Sequence, residues 1–436
     1  MKVKTKRDNV HEGLPLPVKE GQGGSLPSDF MALMRSHLGA DQAEALFRGL
    51  QEPPTVAVRF NSQKLAALAA QGLSLSPELC DPVTWCPDAY YLADRPGFTF
   101  DPLFHAGAYY VQDASSMYLA EVLRRYLPGD APLTALDLCA APGGKSTLLA
   151  GSLPAGSLLI SNEPIRKRAQ VLAENMEKWC GPFAEDGTSR YPIRSVVTQN
   201  YPGEFGRFRD TFDFLLTDVP CSGEGMFRKE EQAVREWSLQ NVRQCAERQR
   251  DILRSILPTL KLGGLLVYST CTFNRFEDEE QVAWLMDAFR LQLLEERHFF
   301  PGRDRGEGLY MAALRKPLPA DAAEVVEHTV LPGSPQPSSR PGKSMTFLKA
   351  LNVLPIQNPI PTDAPVVALS YAQAIAYLRH EALHLAAPRG LVAVAYRGLL
   401  LGTAKSVGTR LNNLYPSEWR IRTTYSPSDP ISGFLQ

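Results

Sequence analysis

Five short apolar runs, at 133–138, 157–161, 193–198, 212–217 and 265–269, alternate with stretches of helical periodicity. Continuous apolar runs of this length, bounded by glycine and polar turns, suit strands buried on both faces, and strand–helix alternation predicts a mostly parallel, doubly wound α/β sheet. The clearest helical stretch places Val242, Ala246, Gln249, Leu253, Ile256 and Leu257 at helical spacing, with Gly263 and Gly264 read as its stop and as the start of the next strand. In such sheets ligands gather at the carboxyl ends of the strands, so the residues just after each run are the ones to examine.

Around this region the pattern changes. Residues 1–24 are charged and glycine-rich and are expected to be poorly ordered. Residues 27–47 read as one helix, 55–61 as a strand, 64–73 as a helix and 81–92 as extended chain, giving a small α+β module over 1–116. The sheet region spans 117–316. A Pro- and Ser-dense stretch at 317–344 reads as a linker before a last unit, 345–436.

Charge says little globally: the formal net charge is −1 over 436 residues. Locally, Arg389, Arg397, Lys405, Arg410, Arg420 and Arg422 face only Glu418 as an acid between 389 and 422. That segment reads equally as a solvated face or as a phosphate-contacting patch. The seven cysteines include no C-x-x-C pair, which argues against a zinc cluster, and no metal is expected. Free thiols suit a reducing cytoplasm. The start of the chain lacks the apolar stretch of a signal peptide, and no apolar run is long enough to span a membrane.

Three strand ends carry chemistry. The first, ALDLCAAPGGKST, places a Gly-Gly turn between a strand and a helix. A phosphate-binding loop of the G-x-x-x-x-G-K-[ST] type fails here, because Cys139 occupies the first glycine position. What remains is a turn whose backbone can approach a ligand closely. Glu163, 20 residues beyond Gly143 at the end of the next strand, suits an acceptor for ribose hydroxyls, the alternative being an acid at a helix start. A nucleoside cofactor without a phosphate fits both features, and S-adenosylmethionine is the candidate.

The second and third strand ends carry thiols: Cys221 in TDVPCSGEGMFRK and Cys271 in VYSTCTFNRFEDEE. An unperturbed thiol is only about one-tenth thiolate at pH 7.5, so a nucleophilic cysteine needs electropositive help. Two thiols at two strand ends can meet in one cleft despite the 50 residues between them. Beside a cofactor turn, such a pair points to covalent catalysis. Cys80, Cys86, Cys139, Cys180 and Cys245 read as small apolar core residues.

These motifs, in the order ALDLCAAPGGKST, SNEPIRKRAQVLAEN, LLTDVPCSGEGMFRK, LVYSTCTFNRFEDEEQV and GEGLYMAALRK, resemble the RNA 5-methylcytosine methyltransferases of the Nol1/Nop2/Sun group. The flanking DPLFHAGAYYVQDASSM and GTRLNNLYPSEWRIR resemble more narrowly the bacterial branch that modifies 16S ribosomal RNA. The resemblance implies a Rossmann-like methyltransferase domain between an N-terminal module and a C-terminal PUA-like RNA-binding domain, acting on ribosomal RNA or the small subunit; a monomer is expected. It implies Cys271 as the nucleophile on carbon 6 of cytosine, Cys221 as the thiol that assists product release, and Asp218 and Lys145 as the groups lining the cytosine pocket. Cys139, Ala140, Ala141, Pro142, Gly143, Gly144 and Lys145 would wrap the methionine part of the cofactor, Glu163 its ribose, with Arg168, Asn200 and Asp218 nearby. Two positions depart from the pattern: Val219 replaces an alanine, and Gln199-Asn200-Tyr201 stands where many members have an aspartate near the adenine. A transfer RNA target, or an idle site on an rRNA-binding assembly factor, are the alternative readings; DNA methylation would leave Cys271 without a purpose.

Overall fold

The computed structural model describes residues 25–318 and 347–423, with 425, 427, 433 and 434, apart from 77–78, 128, 184–186 and 188. The N-terminal segment 1–24 and nearly all of the expected linker lie outside the described residues.

The central sheet has seven strands: β4 (Thr134–Asp137), β5 (Leu158–Asn162), β6 (Arg194–Thr198), β7 (Phe212–Asp218), β8 (Leu260–Thr270), β9 (Gln292–Phe299) and β10 (Leu309–Arg315). Their order is β6-β5-β4-β7-β8-β10-β9. β6 through β8 are parallel, while β10 runs antiparallel to both β8 and β9. The parallel part matches the sequence expectation. The antiparallel pair was not foreseen, because β9, QLLEERHF, carries too many charges to read as a buried run. The continuous apolar character of the parallel strands has a direct cause. Phe214 and Leu216 of β7 pack into the core on one face with Leu149, Leu159 and Val267, while Leu215 joins Leu136, Ile160 and Leu253 on the other.

Two glycine readings are corrected. Gly263 and Gly264 do not stop the preceding helix. That helix, Leu239–Ile256, gives way to a tight turn containing Pro258, which cannot donate to the helical ladder. The glycines lie inside β8, where Gly263 has φ 75° and the pairing with β7 slips in register, as at a β-bulge. The single helix expected over 27–47 is two, Ser28–Leu38 and Ala40–Gly49, broken at Gly39 with φ 81°.

β1 (Val56–Phe60), β2 (Ala89–Leu92) and β3 (Tyr109–Val111) form an antiparallel sheet ordered β2-β1-β3. Near the other end of the chain, β11 (Val366–Ala368), β12 (Gly390–Tyr396), β13 (Leu399–Ser406) and β14 (Leu411–Asn413) form a four-stranded sheet with the helix Tyr371–Leu378. These two terminal units share one apolar core: Val58, Phe60 and Tyr109 cluster with Ile375, Leu378 and Val394. The stretch that leads into the last unit returns to the edge of the central sheet, where Leu354 donates its N–H to Val197 (2.9 Å) and Thr198 bridges Val353. No helix among the described residues is long and apolar enough to cross a membrane.

Candidate active site

The chain runs from β4 outward through β5 and β6, then returns to place β7 on the other side of β4. The crevice at such a reversal, outside the carboxyl ends of β4 and β7, is where open α/β sheets bind ligands. Lys145, just after β4, and Asp218, the last residue of β7, meet there with Nζ 2.8 Å from the carboxylate. Ser269 of β8 donates its hydroxyl to the other Asp218 oxygen at 2.7 Å. Burial works against the Lys145 ammonium, but the charges of Asp218, Cys271 and Asp137 outweigh it and raise its pKa above the ordinary value.

The two thiols come together beside this pair. Cys221 Sγ lies 3.2 Å from Cys271 Sγ, far longer than the ~2.05 Å of a disulfide, and both cysteines are free. The contact with Cys271, reinforced by burial, pushes the Cys221 thiol well above its usual range. Cys221 is thereby held as an S–H. The loops that carry the thiols are stitched by two buried carboxylates in opposite directions. Glu277, after Cys271, accepts the backbone N–H of Ser222 (3.0 Å) and the amides of Gln249 (2.8 Å) and Asn274 (2.9 Å). Glu224, after Cys221, accepts the N–H of Phe273 (2.7 Å), Trp237 Nε1 (2.9 Å) and Asn274 Nδ2 (2.9 Å). Gly225 donates its N–H to the Cys271 carbonyl at 2.8 Å, and a Cβ there would sit 2.9 Å from the Gly308 carbonyl, so only glycine fits.

The glycine turn after β4 is built as its composition requires. Gly143 has φ 117° and opens the helix Gly144–Ser152. Asn162 ties three strand ends together: it donates to the Leu138 and Asn200 carbonyls (3.0 Å each) and accepts from Thr198 Oγ1 and the Asn200 N–H. Ala140 donates its N–H to the Asn162 carbonyl at 2.8 Å. From the N-terminal module, the buried guanidinium of Arg59 donates to the Gly144 carbonyl (3.2 Å) and Thr147 Oγ1 (2.7 Å). Asp137 accepts from Ser146 Oγ with one oxygen, while its other, Oδ1, is buried without a partner; burial raises its pKa to about 7.

The remaining sequence candidates divide. Glu163 is 1% exposed and accepts the N–H of Ile165 at 2.9 Å, as an acid at a helix start does. The exposed Arg168 lies over it, 3.4 Å from Oε2, and also donates to the Ala141 carbonyl at 3.1 Å. Asn200 is tied at both ends of its amide: its Oδ1 accepts the N–H of Asn352 (3.0 Å) and its Nδ2 donates to Glu204 (2.9 Å). Cys139 is partly buried and packs against the core, and burial pushes its thiol up. Cys86, Cys180 and Cys245 are core residues as expected, whereas Cys80 is exposed, contrary to that reading.

Comparison with known proteins follows the same division of the chain. Residues 128–315 match the family described as 16S rRNA methyltransferase RsmB/F, residues 26–114 the N-terminal domain of 16S rRNA methyltransferase RsmF, and residues 364–421 the methyltransferase RsmF PUA domain. The chain is 33% identical over 338 residues to ribosomal RNA small subunit methyltransferase F of Cronobacter sakazakii, covering 69% of this chain and 66% of that protein. It is 30% identical to the protein of the same name in Pectobacterium carotovorum, covering 72% and 68%, and 27% identical to that of an Enterobacter strain, covering 90% and 95%. Thus it spans about two-thirds of the length of most of these relatives. The fold is similar to that of a methyltransferase homolog protein from Pyrococcus horikoshii (TM-score 0.53, 23% identity, 66% of this chain and 94% of that one). It is also similar to that of NSun6 from Pyrococcus horikoshii with SFG (TM-score 0.52, 18% identity, 67% and 99%). With its methyltransferase core, N-terminal unit and PUA unit each matched in order, the chain belongs to the 16S rRNA methyltransferase RsmB/F family.

Proposed function

We propose that this protein methylates carbon 5 of a cytidine in the RNA of the small ribosomal subunit, using S-adenosylmethionine and a transient bond between Cys271 and the base. The single observation that carries the reading is the free thiol pair, 3.2 Å apart, beside the Lys145–Asp218 pair at the sheet's reversal point. The curated relatives bear the name of ribosomal RNA small subunit methyltransferase F, which supports the choice of RNA.

The residues present fit the cofactor. The unpartnered oxygen of Asp137 lies at the strand end beside the turn 139–145. Each Glu163 oxygen holds one protein donor and so keeps lone pairs for ribose hydroxyls. Arg168, half exposed above it, can move aside. Ala140, Ala141, Pro142, Gly143 and Gly144 would line the methionine part, and Asn200 would support the rim through Asn352. When bound, S-adenosylmethionine supplies an electrophilic methyl group.

The protein's own groups do the rest. Cys271 attacks carbon 6 as a thiolate, the nucleophilic form of a thiol. Asp218, oriented by Lys145 and Ser269, hydrogen-bonds the ring nitrogen or amino group and so stabilises the adduct, in which carbon 5 has become nucleophilic. After methylation the carbon 5 proton leaves to water, and Cys221, held as an S–H, assists release of the product as elimination returns Cys271 as a thiolate. The base must leave any stack to reach both thiols. The exposed basic residues of the C-terminal unit would hold the RNA backbone. We place the protein in the cytoplasm as a monomer acting on RNA. The experiment is transfer of labelled methyl from S-adenosylmethionine to small-subunit RNA and to transfer RNA, followed by mapping of 5-methylcytosine. Label at one ribosomal cytidine is expected; label on transfer RNA alone, or none, would overturn the assignment.

A further inference from the structure

Behind the Cys271 loop, on the side away from Lys145 and Asp218 in sequence, sits a second cluster that methyl transfer does not use. Asp278 and Glu279 begin the helix Glu279–Phe289, and His298 lies on β9. One ligand atom from each of the three lies within 4.8 Å of the others. Three buried polar atoms without any hydrogen-bond partner belong to this one cluster: Asp278 Oδ2, Glu279 Oε2 and His298 Nδ1. Asp278 is fully buried. A buried acceptor left unpaired is costly, and three within one cluster call for a shared partner.

The nature of that partner follows from the hydrogen bonds already made. His298 Nε2 lies 3.1 Å from Glu279 Oε1, a contact that places the imidazole proton on Nε2. Its Nδ1 then carries a lone pair, and that lone pair faces Asp278 Oδ2 across 4.0 Å. The distance is too long for a proton to bridge as a hydrogen bond. It is within the span of two coordination bonds of ~2.0–2.2 Å. A bridging water would donate its two hydrogens to two of the acceptors and leave the third without a donor; a cation serves all three. The ring is also held in place for coordination, stacked on Phe300 at 5.1 Å and packed against Tyr310 at 4.5 Å.

We propose that Asp278, Glu279 and His298 form a binding site for one divalent metal ion, with the carboxylate and imidazole donors that suit a first-row cation. The site bears on the nucleophile through Asp278. Its other oxygen, Oδ1, accepts the hydroxyls of Thr270 and Thr272, which flank Cys271 on either side. A cation neutralises the buried carboxylate and fixes the loop that presents the thiol. This role is structural and separate from methyl transfer. The absence of a C-x-x-C pair, which argued against a metal from sequence, speaks only to thiolate clusters.

Manganese(II) is the probe to use, because zinc would be drawn to the Cys221–Cys271 pair. The full-length protein is stripped with chelator, and binding is followed by the loss of the free-ion electron paramagnetic resonance signal. One ion per chain is expected, with a rise in thermal midpoint on binding. His298→Gln and Asp278→Asn should each weaken binding more than about tenfold and remove the rise in midpoint. Circular dichroism establishes that each variant is folded; His298→Gln, at the rim, keeps the test open if Asp278→Asn does not fold. Folded wild-type protein that binds no manganese at millimolar concentration would overturn the proposal. So would binding of undiminished affinity in folded His298→Gln.

Discussion

Glu277 and Glu224 each reach across to the other's loop: Glu277 accepts the N–H of Ser222, and Glu224 accepts the N–H of Phe273. The exchange locks the Cys221 loop to the Cys271 loop from both sides. It explains how two thiols 50 residues apart in the chain are held 3.2 Å apart without a bond between them.

Glu224→Ala should therefore be strongly destabilising. It strands three buried donors, from Phe273, Trp237 and Asn274. At about 1–3 kcal/mol for each unsatisfied group, a loss on the order of 3 kcal/mol or more is expected. Denaturant unfolding of the two proteins measures it. A loss below about 1 kcal/mol would mean the loops are held by something else.

Asp137 gives a pH dependence with a definite sign. Burial raises its folded pKa to about 7 from the ordinary value of 3.8. Between these values the native state holds a proton that the unfolded chain has released. Its contribution is thus fully present below about pH 4 and is lost as pH rises through 7, with a slope of up to about 1.4 kcal/mol per pH unit. Asp137→Asn, which cannot titrate, should remove that slope. Unfolding midpoints of the cofactor-free protein and variant at pH 5 and pH 7.5 test this. A wild-type-minus-variant difference that does not change with pH, or changes in the opposite direction, would refute it.

Arg389, Arg397, Lys405, Arg410, Arg420 and Arg422 are all exposed on the C-terminal unit. Where these side chains contact phosphate, each contact removed should flatten the slope of log affinity against log salt by about 0.7 to 0.9. The double variant Lys405→Ala with Arg410→Ala, titrated with small-subunit RNA at several salt concentrations, should lower affinity and flatten the slope. An unchanged slope in the folded variant would return these residues to the role of a solvated face.

The parallel half of the sheet was legible because strands buried on both faces, such as β7, leave a continuous apolar run, and because the turn after β4 needs Gly143 at positive φ. Cys221 and Cys271 could be picked out because each closely follows a run, whereas Lys145 and Asp218 came from the resemblance of the motifs that carry them. β9 and β10 were not legible, since β9 is an edge strand with Glu295, Glu296 and Arg297 along it. Gly263 was misread because a glycine at a bulge inside a strand looks, in sequence, like one ending a helix. Glu224, Glu277, Asn162, Ser269 and Arg59 were missed for a common reason. Their partners lie across the fold, and no local pattern records which buried acid or amide will meet which backbone N–H.

The most direct test of the thiol pair separates the two cysteines. Cys271→Ser removes the attacking thiol, because a serine hydroxyl is far less ionised at neutral pH, so neither adduct nor product should form. Cys221→Ser should still permit attack and methyl transfer but not release. Mixed with S-adenosylmethionine and substrate RNA and run on a denaturing gel, Cys221→Ser should give a slow-migrating protein–RNA band and Cys271→Ser none. A band from Cys271→Ser alone would reverse the two roles, and full activity in both variants without any band would contradict covalent catalysis by this pair.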